Sequence, residues 1–120
     1  MATIVAIEDE KTILQEICKV LELSGHVAFG AADGQAGLEL IHEHDPDLVI
    51  SDILMPKLDG YEVLKQIRQD SRYKDLPFIF LTARTSAEEV DLGMELGASL
   101  IISKPFIIGE LLQAVDSFIK

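Results

Sequence analysis

The chain has 120 residues, 48% of them hydrophobic and 26% charged, and 21 acidic against 10 basic side chains give a formal net charge of −11 at pH 7. That length fits one domain, residues 1–120, burying roughly two-thirds of its unfolded surface without staples. The acidic balance argues against direct nucleic-acid or membrane partners, no segment has the apolar length of a membrane span or the flanks of a signal peptide, and the single cysteine, Cys18, excludes an internal disulfide.

In chain order, "TIVAI" (3–7) reads as a first strand and ends in Glu8-Asp9. Ile13, Leu14, Ile17, Val20 and Leu21 then recur at helical spacing, with Cys18 as a small buried hydrophobe among them and Gly25 where the helix should stop. "VAFGA" (27–31) is the second strand, preceded by His26 as a surface turn residue. Asp33 is placed to cap a second helix carrying Leu38 and Ile41, inside which Gly37 is a mild misfit. Pro46 precedes "DLVIS" (47–51), a third strand ending at Asp52, and Met55-Pro56 and Asp59-Gly60 turn the chain into a helix marked by Val63, Leu64 and Ile67. "PFIFL" (77–81) ends at Thr82, after which Ser86 caps a fourth helix marked by Val90 and Met94 and stopped at Gly97. "SLIIS" (99–103) leads into Lys104-Pro105, and Leu111, Leu112, Val115 and Phe118 mark a fifth helix.

Strands that are apolar at consecutive positions belong to a sheet covered on both faces, and strand–helix alternation makes that sheet parallel with right-handed crossovers. The fold class is therefore α/β, a doubly wound five-stranded parallel sheet with five helices. No linker, repeat or low-complexity tract divides it.

In such a sheet, sites gather outside the carboxyl ends of the strands. Glu8, Asp9, Asp52, Thr82 and Lys104 all fall there. Singly, each has a plain local reading: turn acids, an N-cap hydroxyl, a solvated lysine. Their convergence on one edge is what carries a functional reading. Clustered carboxylates repel one another unless a cation sits among them, and a carboxylate set with carbonyl and water ligands suits Mg²⁺. A hard cation beside a carboxylate nucleophile, a hydroxyl and an ammonium is also equipment for receiving a phosphoryl group.

With Glu8-Asp9, "SDILMPKLDG" (51–60), "LTA" (81–83) and "KPF" (104–106) in this order, the chain resembles a receiver domain of the two-component response-regulator family over essentially its whole length. The resemblance implies the flavodoxin-like strand order 2-1-3-4-5. It implies that Asp52 is the phosphoacceptor, taking its phosphoryl group from a phosphohistidine on a sensor histidine kinase or a histidine phosphotransfer protein. Asp9, Asp52 and the Leu54 backbone carbonyl would ligate Mg²⁺ directly, with Glu8 acting through water. Thr82 would bond a phosphoryl oxygen, Lys104 would pair with Asp52 or its phosphate, Pro105 would be cis, and Gly60 would be the turn glycine before the third helix. The expected location is cytoplasmic.

The chain departs from the family pattern at Ile101, where an aromatic is frequent, at Ser99 and Leu100, where acids are frequent, and at Ile107, where a polar residue is common. Leu100 and Ile102 are expected to face one side of the fifth strand and Ile101 the other. Ile101, Ile107 and Ile108 would contribute to an apolar patch that takes a second copy of the chain or an output partner, with coupling through packing around Ile101. Leu54 and Arg84 flank the expected phosphoryl position. His42 and His44 point to different sides of a helix and read as solvated residues, and Met55 and Met94 read as packing residues.

Two competing functions differ in class. An aspartyl-nucleophile phosphohydrolase commonly carries a second acid two residues after the nucleophile, where this chain has Leu54. A receiver-like module that docks without phosphorylation has no need of the full set Glu8, Asp9, Asp52, Thr82 and Lys104. A chain ending at Lys120 directly after the fifth helical stretch fits both a stand-alone receiver and part of a longer regulator.

Overall fold

A computed structural model describes residues 2–119, so Met1 and Lys120, the ends of the expected 1–120 domain, lie outside the described residues. Five parallel strands, β1 (Thr3–Ile7), β2 (Val27–Ala31), β3 (Leu48–Ser51), β4 (Phe78–Thr82) and β5 (Leu100–Ser103), lie in the order β2-β1-β3-β4-β5. They alternate with α1 (Lys11–Leu23), α2 (Gly34–His44), α3 (Gly60–Arg68), α4 (Ala87–Glu95) and α5 (Ile108–Phe118), and a 3-10 turn at Ser71–Tyr73 precedes β4. The doubly wound class and the order 2-1-3-4-5 are as the sequence implies. No helix of the described residues is long and apolar enough to cross a membrane.

Because successive side chains of a strand point to opposite faces, each apolar run feeds two cores. Val5, Ile7, Val49, Phe78 and Phe80 pack on one face with Leu38 and Ile41 of α2 and Val63, Leu64 and Ile67 of α3. Ile4, Ala6, Leu48, Ile50, Ile79 and Leu81 pack on the other with Ile17 and Leu21 of α1 and Leu111 and Val115 of α5. Each such aliphatic side chain, once fully buried, stabilises the fold by roughly 1.5–3 kcal/mol before entropy is charged against it. In β5, Leu100 and Ile102 belong to the second core and Ile101 to the first, as expected.

Local chemistry sets the helix ends. Asp33, Asp59 and Ser86 accept the N–H groups of Ala36, Glu62 and Glu89 as N-caps. Gly25 and Gly97 take φ of +91° and +108°, a region open to glycine, where α1 and α4 have ended. Gly37 is explained by packing rather than propensity: a Cβ there would lie 2.7 Å from Ile7 Cγ1, so only glycine lets α2 settle on β1.

One expectation is corrected. Met94 is 47% exposed, not a packing residue, whereas Met55 is buried. The position that α4 buries is Gly93, where a Cβ would lie 3.1 Å from Ile101 Cδ1 and 3.4 Å from the Phe80 ring. Close approach of backbone to sheet replaces side-chain interdigitation there.

Candidate functional site

Parallel pairing aligns the strand ends. Ile7 pairs with Ser51, Ser51 with Phe80, and Thr82 with Ser103, so the residues immediately after each strand share one edge of the sheet. The Asp52 N–H donates to the Ile7 carbonyl at 2.9 Å and the Lys104 N–H to the Thr82 carbonyl at 2.8 Å, which extends the ladder into the site itself. The loop after Asp52 is pinned by Gly60, whose N–H donates to the Ile53 carbonyl at 2.7 Å and whose bare Cα faces the Asp52 carbonyl. Ser51, fully buried, donates its hydroxyl to that same carbonyl at 2.7 Å. The Asp52 backbone is thus held from both sides before its side chain is considered.

Glu8, Asp9 and Asp52 each place a carboxylate oxygen within 4.8 Å of the others. Lys104 Nζ donates to Glu8 Oε1 at 2.5 Å and to Asp52 Oδ2 at 2.9 Å. Asp52 Oδ1 accepts the Ile53 N–H at 2.7 Å, and Glu8 Oε2 accepts the Glu10 N–H at 3.1 Å. Glu8 is buried, Asp52 half-buried and Asp9 exposed, which grades the cluster from interior to solvent. The Lys104–Pro105 peptide is cis, as the resemblance implies.

Electrostatics follow from that grading. Burial raises the Glu8 pKa, and the Asp52 charge adds to the rise, while the hydrogen bonds from Lys104 and the Glu10 N–H work against it. For Lys104, burial alone would lower the pKa, but its hydrogen bonds to Glu8 and Asp52 outweigh it and the net shift is upward. One ammonium between two carboxylates leaves this set one negative charge in excess, with Asp9 adding a second. A donor set of hard oxygens with uncompensated charge is suited to a divalent cation, and since each oxygen of Glu8 and of Asp52 already accepts one hydrogen bond, the exposed Asp9 is the freest of the three carboxylates.

Thr82 ends β4 fully buried, and its Oγ1 accepts the Arg84 N–H at 3.0 Å. Leu54 is 60% exposed beside the site. The other residues singled out in sequence stand apart: His42 contacts the Leu38 carbonyl at 2.8 Å, His44 stacks on Phe29 with ring centroids 3.7 Å apart, and His26 Nδ1 accepts the Ala2 N–H at 3.2 Å. Cys18 is half-buried against the second core. Ile107 and Ile108 are 71% and 45% exposed, whereas Ile101 is half-buried beneath α4, so the expected patch divides into a surface pair and a packing residue.

Sequence reasoning gave no role to Ser51, although it opens the stretch "SDILMPKLDG", and missed Tyr61, whose hydroxyl donates to the Glu89 carbonyl at 3.1 Å across 28 residues of chain. It also missed Asp59 as a cap, although its spacing to Glu62 is a recognisable helix-start signal.

Comparison with known proteins agrees with this geometry. A family model for the response regulator receiver domain matches residues 4–116. A probable transcriptional regulator ycf27 of Guillardia theta is 42% identical over 117 residues, covering 98% of this chain and 45% of the relative. Response regulator MprA of Mycobacterium leprae is 35% identical over 117 residues, covering 98% and 50%. The chain therefore spans about half the length of these curated relatives. The chemotaxis protein CheY4 of Vibrio cholerae superposes with a TM-score of 0.94 at 34% identity over 99% of both chains. A response regulator receiver domain protein of Clostridium thermocellum gives 0.91 at 33% identity, over 99% of this chain and 94% of that one. Sheet order, edge chemistry and these likenesses coincide over nearly every residue, and the chain belongs to the response regulator receiver domain family.

Proposed function

We propose that Asp52 is the phosphoacceptor of a two-component or phosphorelay pathway, receiving its phosphoryl group from a phosphohistidine on a sensor histidine kinase or a phosphotransfer protein. The observation that carries this reading is the bond from Lys104 Nζ to Asp52 Oδ2 inside a cluster of three carboxylates at the sheet edge. An Asp52 carboxylate oxygen attacks phosphorus as the donor P–N bond breaks. The electron pair of that bond stays on the imidazole, which leaves neutral when its other ring nitrogen already carries a proton. Asp52 becomes an acyl phosphate.

Each neighbour has a role in that transfer. Lys104 offsets charge on the reacting oxygens and holds Asp52 in one orientation. Glu8, buried and bonded to Lys104, keeps the ammonium aimed. The Thr82 hydroxyl donates to a phosphoryl oxygen. Asp9, Asp52 and the Leu54 carbonyl are the proposed ligands of Mg²⁺, with Glu8 acting through water, and the cation would neutralise charge on the equatorial oxygens. Leu54, apolar where an aspartyl phosphohydrolase has its acid, gives a leaving alcohol no proton donor, which favours a switch over an enzyme with its own substrate.

The signal leaves through binding: Ile107 and Ile108 form the apolar contact for an output partner or a second copy, and phosphorylation alters its affinity through the loop after Thr82. Its place is the cytoplasm, as a single receiver domain over residues 1–120. Labelling of the wild type but not of Asp52→Asn by acetyl phosphate with Mg²⁺ is the test of the acceptor.

A further inference from the structure

Position 101, under α4, holds the aliphatic Ile101, and the aromatic side chain that bridges the core and α4 is Tyr61. Tyr61, in the first turn of α3, packs its ring edge-on against Phe80 with centroids 5.6 Å apart and an interplanar angle of 73°. Its hydroxyl reaches over to the Glu89 carbonyl at 3.1 Å. Phe80 lies two residues before Thr82 on β4, and Gly60, directly before Tyr61, is packed over the Asp52 carbonyl. Tyr61 therefore adjoins β4 through Phe80, and its neighbour Gly60 adjoins the Asp52 backbone that follows β3.

Glu89 is a node. Its N–H donates to Ser86 Oγ at 3.2 Å and Oε1 accepts the Ser86 hydroxyl at 2.8 Å. Its Oε2 accepts Arg84 Nη1 at 3.2 Å, and its carbonyl accepts Tyr61. Arg84 in turn donates its backbone N–H to Thr82 Oγ1 at 3.0 Å. An unbroken series of hydrogen bonds and covalent bonds runs from Thr82 through Arg84 and Glu89 to the Tyr61 hydroxyl. The helix it anchors is lightly held otherwise, since Gly93 is the one position of α4 buried in the core.

We infer that Tyr61, Glu89 and Arg84 form a latch that is closed when Asp52 carries no phosphate and opens when it does, with Tyr61 as the aromatic that changes environment. This rests on the reading of Asp52 as phosphoacceptor. A Thr82 hydroxyl swung toward a phosphoryl oxygen leaves the Arg84 N–H behind. The added negative charge also competes with Glu89 for the Arg84 guanidinium, and an exposed ion pair is weakly held against such competition. Release of Glu89 frees the first turn of α4, and the Tyr61 bond to its carbonyl breaks. Burial, then the Glu89 and Asp59 carboxylates, keep the Tyr61 hydroxyl protonated and hence a donor at neutral pH.

The chain has no Trp and two Tyr, which makes the latch directly readable. Tyr73 is buried, with its hydroxyl on Asp45 at 2.5 Å, and Tyr73→Phe leaves Tyr61 as the sole emitter. The experiment adds Mg²⁺ and beryllofluoride, follows tyrosine emission, and verifies occupancy independently by the ¹⁹F resonance of bound beryllofluoride. Where Tyr73→Phe fails to fold, the difference between wild type and Tyr61→Phe supplies the same reading. Emission is expected to change on occupancy, and Glu89→Ala is expected to start near the occupied level and respond little although its ¹⁹F signal appears. Bound beryllofluoride with unchanged Tyr61 emission overturns the latch, as does a full response in Glu89→Ala. Absence of any bound beryllofluoride overturns the acceptor reading, and the latch falls with it.

Discussion

Lys104 Nζ stands 2.9 Å from Asp52 Oδ2, and this one contact joins a residue following β5 to one following β3 across the intervening β4. The same ammonium neutralises the buried Glu8 carboxylate. It is a structural tie as well as a chemical group.

Lys104→Met should therefore lower stability as well as phosphoryl acceptance. Stripping a largely buried carboxylate pair of its cation costs on the order of 3 kcal/mol. Urea unfolding in metal-free buffer measures it as a lower transition midpoint with an unchanged slope. A midpoint equal to wild type would mean that Glu8 and Asp52 are satisfied without the ammonium.

Mg²⁺ should raise the melting temperature of the wild type, by mass action worth about 2.7 kcal/mol when the free ion stands at 100 times its dissociation constant. Asp9→Ala should lose most of that response, while its metal-free melting temperature does not fall, because removing Asp9 relieves repulsion. An unchanged Mg²⁺ response in the variant removes Asp9 from the ligand set.

The central strands β1, β3 and β4 were legible in the sequence because burial on both faces makes each an unbroken apolar run, the edge strands β2 and β5 were legible as apolar runs although they are less buried, and the site was legible because all five of its side chains follow such runs. The packing of α4 was not. Val90 and Met94 share a helical spacing, but the buried position is Gly93, which carries no hydropathic signal, and Met94 faces outward. The contact of Tyr61 with Glu89 depends on how α3 and α4 sit against Phe80, a tertiary relation that no local pattern encodes.

Ile107 occupies the N-cap of α5 without a side-chain acceptor and is 71% exposed. Ile107→Asp should stabilise the domain by about 1 kcal/mol through a new cap bond. Ile107→Lys with Ile108→Lys should weaken self-association or partner binding in sedimentation runs with and without beryllofluoride. If the wild type stays monomeric in both states and both proteins bind every partner equally, the patch has no interaction role.

At the opposite end from these contacts, Asp70 has its pKa lowered to about 2 by the side-chain hydrogen bond from Arg72, then by the Arg72 backbone N–H. A depressed carboxylate pKa contributes stability that is present above the unfolded value of 3.8 and lost as pH falls through about 2. Arg72→Ala should move the Asp70 titration, followed by carboxyl NMR, upward toward 3.8. A titration that stays near 2 would assign the shift to the fold rather than to Arg72.

The proposed role of Asp52 as sole phosphoacceptor is checked by intact-mass measurement after incubation with acetyl phosphate and Mg²⁺. One phosphoryl group is expected on the wild type and none on Asp52→Asn. Equal labelling of the two proteins would contradict it.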